Sequence, residues 1–330
     1  PAAHKKAGCF TTSPVSSCTR LSVTLPPMPA TLQAFIAVFF LGALLRSSGL
    51  LGKMHAERLA SFVFSISLPA TILVSLDHVT FTPTAWKLPV AACLVTLTML
   101  LCSWQVARRL HLPLPTQGGF LLGTGCINSV YFAYPVVLAT FDDQGLARAI
   151  LFDLGQTTLT LTVIYAIAVG HGTSSTTARS ALVRFVASPP LWALCGSLLL
   201  SLFGIHLHAW LRQVLTPLHF TTTPLASLVL GLSISFAVTR RTLAVAVLGV
   251  VMRMAGGLLL GLGAAWVLNL TGIERAIVVL IAAMPSAVTA VIFAADTGLD
   301  EHLVTSIVAL SICMGIALLP WLPQLMRLLE

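Results

Sequence analysis

Asn-Ser-Val-Tyr-Phe-Ala-Tyr-Pro-Val-Val-Leu-Ala-Thr-Phe, residues 128–141, lies inside a long apolar run that begins near Gly119. A helix crossing lipid satisfies its own backbone, and a proline in mid-span removes a donor and crowds the preceding turn. Pro135 therefore predicts an interrupted segment with a purpose. A partner stretch at 282–293, Ala-Ala-Met-Pro-Ser-Ala-Val-Thr-Ala-Val-Ile-Phe, carries Pro285 in the matching place 150 residues on. Interruptions at corresponding positions in two halves of an apolar chain point to the binding site of a transporter.

The composition agrees with a membrane setting. Of 330 residues, 57% are hydrophobic and 8% charged, and mean hydropathy is +0.97. A soluble domain carries about 25% charged residues, so too few polar side chains are present to coat a water-soluble particle of this size. The formal charge of +8 does not suggest nucleic acid, because the basic residues fall singly or in pairs between apolar runs. That distribution orients a membrane protein. Seven cysteines show no metal-ligand spacing, and five of them (Cys93, Cys102, Cys126, Cys195 and Cys313) read as small buried hydrophobes. His206 and His208 flank Leu207 beside Trp210 and read as interfacial polar residues. No cofactor and no metal is implied.

Ten apolar stretches are long enough to span: 31–46, 57–77, 85–107, 119–141, 146–170, 181–204, 222–239, 247–269, 275–296 and 302–326. The expected fold class is an all-α polytopic membrane protein. Residues 1–27 differ from the rest, being rich in Ser, Thr, Pro and Lys. They are expected to be a disordered leader, with Met28 as the natural start. Counted from Met28, the odd connections hold nine Lys or Arg, and the even ones with the C-terminus hold five. The positive-inside rule then places both termini outside a cell membrane.

Landmarks recur at offsets of 150 to 155: Gly42 and Gly196, Gly49 and Gly204, Pro69 and Pro224, Pro135 and Pro285. Each proline-bearing stretch is followed by an acidic turn with Gly, at 142–145 and 296–300. Five spans is an odd number, so a second half would enter the membrane from the opposite side. The expected domains are two inverted five-helix repeats, 28–171 and 172–330.

Several blocks, in their order and spacing, resemble the auxin efflux carrier family of membrane transport proteins from about Leu32 to Leu328. They are residues 41–51 and 59–70; Gly-Cys-Ile-Asn-Ser-Val-Tyr-Phe-Ala-Tyr-Pro-Val-Val at 125–137; 188–205 and 223–234; then 283–300 and Leu-Leu-Pro at 318–320. The resemblance implies ten helices in two inverted repeats, similar to sodium/proton antiporter folds, with spans four and nine broken and crossing at Pro135 and Pro285. It implies that spans one, two, six and seven form a scaffold able to homodimerise, and that the rest moves. It also implies organic-anion cargo, auxin-like, malonate-like or malate-like. Two departures stand out. Ala133 sits where the family usually has Gly, and the second half lacks an Asn equivalent to Asn128. The missing hydrophilic middle loop is that of a compact, bacterial-type member.

The chemistry of such a crossing rests on helix ends. A broken helix leaves N–H groups on one stump and C=O groups on the other, and the N-terminal stump favours a carboxylate. Asn128 can donate to a carboxylate or tie up freed backbone. Ser129 and Ser286 can do either. Tyr131 and Tyr134 are candidates to line a cavity or simply to pack. The expected substrate-binding set is Asn128, Ser129, Tyr131, Pro135, Pro285 and Ser286. Asp153 is an ionisable group deep in its span, where such groups are functional by default. With Gln156 on the same face three residues on, it is the expected ion-coupling element for a proton or sodium ion, or else a partner for broken backbone. Arg253 is expected to snorkel from near the cytoplasmic end of its span. Asp296, Asp300 and Glu301 are expected to be solvated loop carboxylates.

No phosphate-binding Gly-x-x-x-x-Gly-Lys-Ser/Thr motif is present, so ATP is not the expected direct energy source. Hydrolase and zinc-protease signatures are absent too, and the chain is not read as an enzyme. A non-transporting membrane receptor for a similar ligand is the alternative. The short loops and lack of a signalling domain argue against it.

Overall fold

The computed structural model describes residues 29–77, 84–174, 183, 186–234 and 240–322. The leader, Met28 and the ends of several expected spans lie outside these residues. Within them every regular element is a helix: α1 Ala30–Ser47, α2 Met54–Leu76, α3 Lys87–Arg109, α4 Leu114–Gly125, α5 Ser129–His171, α6 Pro189–Leu202, α7 Ala209–Ser233, α8 Thr242–Val267, α9 Gly272–Ala282, α10 Thr289–Thr297 and α11 Glu301–Leu318. Seven of them, α1, α2, α3, α5, α7, α8 and α11, are long and apolar enough to cross a membrane.

The departures from the expected spans have local causes. α7 begins at Ala209, well before residue 222, because its polar residues find partners along the helix and against α2. Ser67 donates to Leu218 O at 2.9 Å, and Ser67 and Thr71 pair with Thr222 at 2.8 and 2.7 Å. A hydropathy reading sees those hydroxyls as a gap, whereas the packed helix satisfies them. α5 is a 43-residue stretch that turns sharply at Asp142 (φ 54°, ψ −161°). The first acidic turn read from the sequence therefore divides α5 into limbs 129–141 and 143–171. At the second, Gly298 ends α10 in the left-handed region (φ 73°), where a side chain would be strained. Asp300 then caps α11 by accepting from Leu303 N at 3.1 Å and holds Thr116 Oγ1 at 3.0 Å. Asp300 is thus a bonded cap, where a solvated carboxylate was expected.

The helices associate in two groups. α1, α2, α6 and α7 pack on one another, and α3, α4, α5, α8, α9, α10 and α11 pack around a second core. α1 and α7 approach closely because glycines face each other. A Cβ on Gly231 would lie 2.2 Å from Phe39 O, and one on Gly42 would lie 2.6 Å from Leu228 O. Membrane helices use such small residues to bring backbones together, since lipid offers no hydrophobic drive. Between the groups, buried His219 on α7 meets Asp143 at the kink of α5 at 3.6 Å, and Ser75 on α2 donates to the same carboxylate at 3.2 Å.

Candidate substrate site

Two interruptions meet in the second group. The chain leaves helical geometry at Cys126–Asn128, between α4 and α5, and again at 283–288, between α9 and α10. The two extended pieces run antiparallel and share backbone hydrogen bonds. Asn128 N donates to Pro285 O at 2.9 Å, and Ala287 N donates to Cys126 O at 3.1 Å. Freed backbone groups deep in an apolar core must find partners, and here each interruption supplies them to the other.

The first interruption does not fall at Pro135. It lies upstream at Asn128, whose side-chain amide donates to Ser286 O, 158 residues on, at 3.4 Å. Pro135 is carried inside α5, directly after a π-helical turn over Ser129–Ala133. A widened turn relieves the clash between a proline ring and the carbonyl four residues back. Pro285 does lie at its interruption, so the counterpart of Pro285 is Asn128 and not Pro135.

A cavity of about 330 Å³ opens beside this joint, within the range of small-molecule sites. Its wall includes Asn128, Ser129, Tyr131, Tyr134, Asp153, Gln156 and Thr157 from the first interruption and α5, and Ala287, Val288 and Thr289 from the second interruption and α10. α2 and α6 close the far side with Phe64, Leu68, Ile72, Leu191 and Leu194. The cavity therefore lies between the two helix groups. The first turns of α5 and α10 both begin in its wall, so the positive ends of both helix dipoles lie beside the cavity.

Of the residues expected from sequence, Asn128, Ser129, Tyr131, Asp153 and Gln156 come together around this cavity, while Pro135, Pro285 and Ser286 do not line it. Ser286 is fully buried in the joint, where its N–H donates to Ser311 Oγ at 3.0 Å. Tyr131 reaches Ala60 O on α2 at 3.4 Å. Asp153 is half-buried. One oxygen accepts from Tyr134 OH at 3.2 Å and Thr157 Oγ1 at 3.3 Å, and Ser129 stands beside it. Its partners are side chains, not the broken backbone. Gln156 is buried and fixed: Nε2 donates to Gly125 O at 3.1 Å and Thr160 Oγ1 at 3.2 Å, and Oε1 accepts from Thr96.

Sequence reasoning also misplaced Arg253. Helical geometry begins at Arg240, two residues before α8 as defined above, so Arg253 lies about 20 Å from that start at 1.5 Å per residue. It is completely buried and does not snorkel. One Nη donates to Thr124 O at 2.8 Å and the other to Ala282 O. Its distance from the last basic pair, Arg240 and Arg241, was the available signal.

A family model described as membrane transport protein matches residues 29–322. An uncharacterised transporter of Methanothermobacter thermautotrophicus is 30% identical over 293 residues, covering 88% of this chain and 95% of that protein. One of Methanocaldococcus jannaschii is 27% identical over 289 residues, covering 85% of this chain and 92% of that protein. The interrupted helices, the cavity between two helix groups and these matches give one conclusion: the chain belongs to the membrane transport protein family, the auxin efflux carrier-like group that its sequence blocks resemble.

Proposed function

We propose that the chain carries a small organic anion across a cell membrane as a secondary transporter, by alternating access around the joint of the two interruptions. The carrying observation is the cavity of about 330 Å³ whose wall holds Asn128, Ser129 and the N-terminal turns of both α5 and α10. Two helix N-termini supply partial positive charge to a carboxylate. The rest of the wall is mostly apolar, which suits an acid with a hydrophobic body better than a dicarboxylate.

The ten-span inverted repeat accommodates this reading. In it, α4 with limb 129–141 is the fourth span, limb 143–171 the fifth, α9 with α10 the ninth, and α6 the sixth. The close match of Gly49 (φ 74°) and Gly204 (φ 64°) as left-handed helix ends supports a repeat. In this mechanism α1, α2, α6 and α7 are the static scaffold, with a homodimer contact on their outer face, and the second group rocks against it. Asp153 with Gln156 is the proposed ion-coupling element, and both termini lie outside.

The test is counterflow in proteoliposomes with labelled indole-3-acetate, phenylacetate, malonate and malate, with and without imposed proton or sodium gradients. Saturable exchange of at least one aromatic acid, blocked by that acid and not by its amide, is expected. Absence of exchange for all four would refute the reading.

A further inference from the structure

Arg253 is a buried cation for which no role has yet been given. It lies at the middle of α8, is fully enclosed, and pairs with no carboxylate among the described residues. Its Nε has no hydrogen-bond partner. An unpaired buried charge is costly, and removing its compensation is strongly destabilising, so the carbonyls it touches must carry the balance. Those carbonyls are Thr124 O, in the last turn of α4, and Ala282 O, the last residue of α9. One guanidinium fork therefore closes the C-terminal ends of both interrupted helices. Gly257, one turn on, makes room for this: a Cβ there would lie 2.7 Å from Arg253 Nη2 and closer still to Ala282 O.

The charges can be counted. Four helix ends converge on the joint. The N-termini of α5 and α10 carry roughly +0.5 each, and the C-termini of α4 and α9 roughly −0.5 each. The four cancel, so the backbone alone gives an arriving anion no net attraction. Arg253 cancels the two negative ends instead and leaves the two positive ends beside the cavity, where the one acidic side chain in the wall is Asp153. Broken-helix transporters otherwise use such C-terminal ends to hold a coupling cation. Here the chain's own side chain occupies that seat.

We propose that Arg253 is the fixed counter-charge of the anion site: a positioning residue that never touches the substrate but, by closing the C-terminal ends of α4 and α9, makes the cavity select a carboxylate over its neutral analogue. The inference rests on the anion-transport reading above.

The experiment uses the purified full chain with indole-3-acetate and its neutral isostere indole-3-acetamide as binding probes. Wild type prefers the acid. Arg253→Lys keeps the preference within about threefold, because the charge remains. Arg253→Met lowers acid affinity at least tenfold and leaves amide affinity unchanged. Arg253→Ala loses the preference likewise and regains it in tens of millimolar methylguanidinium, which fits the vacated seat; Arg253→Met does not, because its side chain fills it. Wild-type acid preference in a folded Arg253→Met would overturn the proposal, as would lost preference in a folded Arg253→Lys if the neutral variants fail to fold. Should wild type bind neither probe, the aromatic-acid reading of the site fails. The counter-charge is then judged by thermal unfolding: methylguanidinium raises the Tm of Arg253→Ala, or, if that variant does not fold, restores its folded yield, and leaves wild type unchanged. No effect on the variant overturns it.

Discussion

Replacing Asp153 by Asn separates a coupling role from a supporting one. The Asp153 carboxylate accepts two hydroxyl bonds on one oxygen, at 3.2 and 3.3 Å. Both are long for bonds to an ionised acceptor, where 2.5–2.7 Å is usual. Such bonds contribute about 1.5–3 kcal/mol each at good geometry, so these two sit at or below the lower end. An Asn oxygen keeps both donors satisfied and removes the cost of a half-buried charge. The expected change in Tm is therefore no more than about 3 °C. Transport should respond differently. An anion and an ionised Asp153 would be two negative charges in one cavity, and a proton entering with the anion offsets their repulsion. One proton moving with one monoanion is electroneutral, so a gradient of one pH unit stores 1.36 kcal/mol and sustains about tenfold accumulation. Labelled indole-3-acetate in proteoliposomes with an acidic exterior reads this directly. Wild type should reach that ratio, and Asp153→Asn should equilibrate at one. Tenfold accumulation by Asp153→Asn would refute the coupling role, and a collapse of Tm would show that the carboxylate is structural.

Three further outcomes follow from the geometry. Asn128→Ala removes an amide from the cavity wall and a single 3.4 Å bond to Ser286 O; the substrate KM should rise roughly tenfold, for about 1–1.5 kcal/mol, with Tm nearly unchanged. Gln156→Leu leaves Gly125 O and the Thr96 hydroxyl without partners in a buried place, so unfolding in detergent should show a loss of about 2–6 kcal/mol. Gln156→Glu should not restore it, because a carboxylate cannot donate to Gly125 O. Gly231→Leu puts a side chain into Phe39 O; prying α1 from α7 should cost about 1–3 kcal/mol, read as a Tm lower by several degrees.

Much of this was legible in residues. The apolar runs announced α1 and α3 almost to their ends, and the start of α11, because the few polar residues inside these helices are too sparse to break a hydropathy reading. The acidic turns at 142–145 and 296–300 marked real reversals. Asn128, Ser129, Tyr131, Asp153 and Gln156 could be nominated because polar groups inside apolar runs are few. Other features were hidden for physical reasons. Pro135 looked like the break because proline breaks α-helices, but a π turn accommodated it. The second interruption lent its carbonyls to the first across 158 residues, which no local pattern encodes. The start of α7 was masked by hydroxyls whose partners lie on α2. Arg253 was misread because its two acceptors are backbone oxygens, which carry no sequence signature.

The meeting of His219, Asp143 and Ser75 has a mechanical consequence. It joins the two helix groups at a point where Asp143 is half open to solvent and His219 is sealed in. If one bundle swings past the other, this trio must part, and a sealed imidazole loses its only anionic neighbour among the described residues. The empty chain would then idle with that doorway latched, and cargo would have to repay the unlatching before each crossing.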